Sequence, residues 1–131
     1  MKKKIKLMFF MLLAGISIAV AQSAQPEWKE MKAFHAIMSP IFHPAEDGNF
    51  VPLKTKSDSL LMIAKNWYAS PIPANYKPVE TKETLKKLAM EIAKLHKAVK
   101  ANKDDKELMK MLTEAHDTFH KVAGECKVEG E

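Results

Sequence analysis

The sequence predicts an all-α protein, an antiparallel up-down-up-down four-helix bundle. Three observations carry this. Apolar residues recur at steps of three and four along four separate stretches, which puts each set on one helical face. Proline and glycine punctuate the joints between those stretches. No segment shows the alternation of a half-buried strand, and no internal repeat is present.

The chain of 131 residues opens MKKKIKLMFFMLLAGISIAVAQ. Lys2, Lys3, Lys4 and Lys6 precede an apolar run from Leu7 to Val20, and Ala19-Val20-Ala21 is a small-x-small cleavage site. This is the pattern of a secretory signal peptide over residues 1–21, cut after Ala21. The run is short for a membrane span, no other stretch approaches ~20 apolar residues, and no cysteine follows it to take a lipid anchor. The expectation is a secreted or periplasmic domain over residues 22–131, large enough for one core. The formal net charge of +5 overstates the basic character, because four lysines leave with the leader and the remainder nearly balances the carboxylates. There is no arginine. Both facts argue against nucleic acid as a partner. Cys126 is the only cysteine, so no intramolecular disulfide can form. Its thiol is a core residue, a ligand or a link between two chains, which leaves a homodimer open.

Helix 1 is expected from Pro26 to Phe42. Trp28, Met31, His35, Met38 and Phe42 form a seam, and Phe34, Ile37 and Ile41 widen it. This places His35 inside the seam and away from water. Pro26 suits the first turn; Pro40 should bend or loosen the last one. His43 to Asn49 should break the helix. Helix 2 is expected from Val51-Pro52 to Tyr68, with Leu53, Ser57, Leu60, Ala64 and Trp67 inward. Ser70 to Glu80, with three prolines, reads as an extended crossover. Helix 3 should run from Thr81 to Ala101 on Leu85, Leu88, Ile92, Leu95 and Val99, with His96 at the boundary. Asp104 and Glu107 then make a capping-box start for helix 4. Leu108, Leu112, Ala115, Phe119, Val122 and Cys126 give that helix one face out to Cys126.

His116 and His120 lie one turn apart at the edge of the helix 4 face, a spacing that lets two imidazoles share one ion. If helices 1 and 4 are antiparallel neighbours, His35 comes level with Phe119, about one turn or ~5 Å from both histidines. The metal ligands expected are therefore His35, His116 and His120. Met31, Met38 and Cys126 are the soft additions, and Glu114 and Asp117 the carboxylates that would orient a ring. His43 lies about two turns, ~12 Å, further along and would make a separate site with Glu46. Three imidazoles suit zinc or copper, and a thioether favours copper(I). The bland reading is that each histidine satisfies a nearby backbone group and each methionine fills core.

The residues Leu112-Thr113-Glu114-Ala115-His116-Asp117-Thr118-Phe119-His120 resemble the haem-attachment helix of the cytochrome c-prime family, a secreted four-helix bundle with Cys-x-x-Cys-His in its last helix. His116 stands at the ligand position, but Leu112 and Ala115 replace both cysteines, which rules out covalent haem at Leu112–His116. The chain also looks like the related soluble b-type cytochromes, which hold haem between an early methionine and a late histidine. By that resemblance Met31 and His120 would be the ligands, and haem b for electron transfer is the alternative cofactor. A cofactor-free interaction module is the third reading. No nucleophile with an ordered base, paired seam carboxylates or phosphate-binding glycine loop argues for an enzyme.

Overall fold

The computed structural model of the chain describes residues 27–128; the signal-peptide expectation for residues 1–21, and Pro26, lie outside them. The described residues form four α-helices and a terminal π-helical turn: α1 (Lys29–Glu46), α2 (Val51–Ala69), α3 (Pro78–Lys100), α4 (Asp105–His120) and the π turn (Lys121–Glu125). Each helix packs on the next in sequence, and α1 also meets α4. No helix among the described residues is long and apolar enough to cross a membrane.

α1 runs through both of its prolines and ends four residues beyond the expected boundary. The reason lies in its apolar face. Phe34, Met38, Ile41 and Ala45 are all buried at steps of four and three, and that burial holds the last turn in register despite the hydrogen bonds Pro40 and Pro44 forgo. Pro44 even helps close the end: its carbonyl accepts from Asp47 N–H (3.1 Å) and Asn49 N–H (2.8 Å). Gly48 then turns the chain at φ +82°, a left-handed conformation cheap only for glycine. Asn49 Oδ1 accepts from Val51 N–H (3.1 Å) at the entry to α2.

The Pro-rich connector is shorter than expected, because α3 begins at Pro78. Proline at a first helical position loses no hydrogen bond and has its φ already set. Tyr76 in the connector forms an isolated antiparallel bridge with Lys127. The turn between α3 and α4 passes through Asn102 at φ 53°, and Asp104 caps α4 by accepting from Glu107 N–H (2.8 Å), as its sequence signature predicts. The α-helix stops at His120 and not at Cys126. It widens there into the π turn, closed by Cys126 N–H on the Lys121 carbonyl (3.1 Å).

The core holds leucines and isoleucines along the helices and an aromatic group at one end. Trp67 is fully buried, with Trp28 at 5.5 Å, Phe34 at 5.3 Å and Phe119 at 5.9 Å between ring centroids. Trp28 Nε1 donates to Ser70 Oγ (3.2 Å), which in turn donates to the Trp67 carbonyl (2.7 Å). Phe119 also meets Phe34 at 5.6 Å. It therefore carries the core out to the edge where α4 faces α1.

Candidate functional site

That edge is built from rings. His43 lies edge-on to Phe42 at 5.9 Å, and Phe42 stacks flat on His116 at 3.7 Å and 2°. His116 meets His120 edge-to-face at 4.5 Å, His120 meets Phe119 at 5.3 Å, and Phe119 stacks on His35 at 5.4 Å. Four imidazoles and two buried phenyl rings thus form one continuous ribbon along α1 and α4. The phenylalanines anchor it, since Phe42 and Phe119 each belong to the core, and the histidines lie on their outer side.

This arrangement brings the sequence-predicted ligands to one edge but not into the interior. His35 is exposed, as are His43 and His120, and His116 is half-buried. The expectation that His35 sits in the seam is corrected. The buried face of α1 is centred on Phe34, Met38 and Ile41, and the residue after Phe34 lies about 100° round the helix from it. His43 and Glu46, expected to make a separate site, pair with each other. Both act electrostatically on His116, because α1 continues past Pro40 and carries them on the same edge. His43 Nδ1 lies 3.2 Å from Glu46 Oε1.

The electrostatics favour an unprotonated ring at the centre of the ribbon. Burial holds His116 below its ordinary value, and the neighbouring His120 and His43 push the same way, against Asp117 and Glu46. A neutral imidazole is the form that binds a metal.

Beside the ribbon, Met31, His35, Ala36, Phe119, His120 and Ala123 line a cleft of about 590 Å³, with Lys32 at its wall. The two alanines leave the room, and His35 and His120 flank it from different helices. Met31 Sδ accepts from the Tyr76 hydroxyl (3.7 Å). Tyr76 is pushed above its usual range by burial and by Cys126, so it keeps the proton it donates.

The other expected ligands lie elsewhere. Met38 is fully enclosed in the core. Cys126 is a buried free thiol whose Sγ points to Thr84 Oγ1 of α3 at 3.8 Å. Glu114 lines the grooves toward α3 and Phe50, whereas Asp117 acts electrostatically on His116. Among the described residues, no group of three or more His, Cys, Asp or Glu is gathered closely enough to hold a metal ion unaided.

Sequence reasoning missed two features. Phe42 appears in the sequence only as an apolar seam residue, and nothing in its spacing shows that its outer face is the platform for His116. The second is a polar clamp between α2 and α3: Ser57 Oγ lies 3.0 Å from His96 Nδ1, and Asp58 Oδ1 lies 3.1 Å from His96 Nε2. The spacing of His96 beside Leu95 marks it as a boundary residue, but its partners come from another helix. Comparison with known protein families, curated proteins and solved structures returns no match.

Proposed function

We propose that the protein is an exported up-down-up-down four-helix bundle that binds a transition-metal ion, zinc or copper, through His116 and His120. His35 is the α1 imidazole that shares a cleft with His120. The observation that carries this reading is the His116–His120 pair itself: two rings 4.5 Å apart on successive turns of α4, one of them held toward its neutral, ligating form. The antiparallel arrangement is supported by the ring pairs between α1 and α4, in which His35 meets Phe119 and the later Phe42 meets the earlier His116. Asp117 and Glu46 supply negative charge near the pair, which offsets that of a bound cation.

The test is metal uptake by equilibrium dialysis against zinc and against copper. Wild-type protein retains metal. His116→Ala and His120→Ala each weaken binding by more than the roughly 10–100-fold that loss of an outer-shell partner costs, whereas His96→Gln leaves it unchanged. Wild-type uptake in the doubly substituted protein would refute the reading.

One observation favours a second reading, non-covalent haem. The cleft of about 590 Å³ is within the size range of small-molecule sites, and it sets Met31 and His35 on the α1 side and His120 on the α4 side. Haem titration distinguishes the two. A Soret band that His120→Ala abolishes supports haem; an unchanged spectrum of free haem eliminates it.

A further inference from the structure

The metal reading, on which this inference rests, leaves a coordination sphere half filled. The His116–His120 pair offers two nitrogens, while a closed zinc site takes four donors in a tetrahedron. Among the described residues, the neighbouring imidazoles on α1 do not close with the pair into a group of three that could hold a metal ion. Phe42 stacks against one face of His116, and Phe119 packs against both His120 and His35 on the floor of the cleft they share. Both phenyl rings are buried in the core, so neither can swing aside without opening it.

We propose that zinc joins two copies of this chain across a two-fold axis, with the His116 and His120 of each copy on the same ion. A two-fold axis through the metal turns two ligands into four with no further residue required, and it brings the same patch of both copies together. The patch suits this. His120 and His35 are exposed, and the backbones of α1 and α4 stand further apart than those of the other neighbouring helix pairs. The adjoining cleft has an apolar floor of Met31, Ala36, Phe119 and Ala123, which the second copy covers. The charges nearby are mixed, with Lys32 beside the cleft and Glu46 and Asp117 beside His116. Two such faces do not repel, and the carboxylates balance the ion.

Sedimentation velocity of the purified protein tests this. Without metal, and with a chelator present, the chain sediments with the mass of a monomer. Addition of one zinc ion per two chains doubles that mass, chelation reverses it, and His120→Ala or His116→Ala abolishes the doubling while retaining a helical circular dichroism spectrum and a cooperative melt. Three results overturn the proposal. A monomer that binds zinc one to one removes the bridging and leaves the metal reading standing. A zinc-driven dimer that survives in the doubly substituted protein shows that other ligands bridge. A chain that binds no zinc removes the bridging, and one that binds neither zinc nor copper removes the metal reading as well.

Discussion

Burial and the nearby His120 and His43 all oppose a proton on His116, and this has a consequence for stability. The unfolded chain protonates this residue near its ordinary value of 6.5, the folded one only at lower pH. Between those values the unfolded state binds more protons, so stability rises with pH there. The contribution is complete above the unfolded value and fades as pH falls through the depressed folded one. His116→Phe keeps a flat ring against Phe42 and removes the titration. Urea midpoints measured at about pH 7.5 and about pH 5.5 should therefore differ less in this variant than in wild type; an unchanged difference would show that His116 is not responsible. The pair itself was legible in the sequence, because a four-residue spacing on a strongly amphipathic helix fixes two side chains on one edge. The placement of His35 was not. The step pattern through Trp28, Met31, His35 and Met38 competes with the one through Phe34, Met38, Ile41 and Ala45. Both share Met38, and only the neighbouring helices decide that Phe34 faces inward and His35 outward.

At the scale of the element, the two ends of α4 are set by different means. Asp104 satisfies the Glu107 N–H at the start, and Asp104→Ala should lower unfolding free energy by about 1 kcal/mol in a urea titration, as for other lost caps. This end was readable, since a capping side chain and its target are three residues apart in the sequence. The π turn was not. Val122 and Cys126 are buried, and their spacing from Phe119 fits an α-helix as well as a widened turn, so apolar periodicity carries no mark of it. The two described glycines separate conformational need from simple smallness. An added Cβ meets nothing within 4 Å at either Gly48 or Gly124, but only Gly48 has a positive φ. Gly124→Ala should stabilise the chain by about 0.4–1 kcal/mol through the unfolded state, and Gly48→Ala should destabilise it. Thermal melts of the two variants moving in the same direction would contradict this account.

For the whole molecule, the four-helix architecture follows from apolar periodicity that the structure repeats almost residue for residue. Leu85, Leu88, Ile92 and Leu95 on α3 and Leu108 and Leu112 on α4 are all essentially without exposure. Leu112→Ala leaves a cavity at the core and should cost about 2–5 kcal/mol, a large part of the roughly 5–15 kcal/mol that holds a domain of this kind folded. The joints were less legible than the helices. Prolines at 40, 44 and 78 fall inside helices because tertiary burial, or a first-turn position, outweighs the bond each one forgoes. The ribbon was legible only in part. Its histidines stand out, but the phenyl rings on which they pack are indistinguishable in sequence from ordinary core.

A metal bound only by the folded state raises stability by mass action, about 2.7 kcal/mol at a hundredfold excess over Kd. Side-chain imidazole NMR during a zinc titration reports most directly on where that metal sits. The account requires that the ring signals of His116 and His120 shift or broaden first and together, while those of His96 stay in place. Uniform small shifts across all five histidines, or a first response at His96, would contradict it.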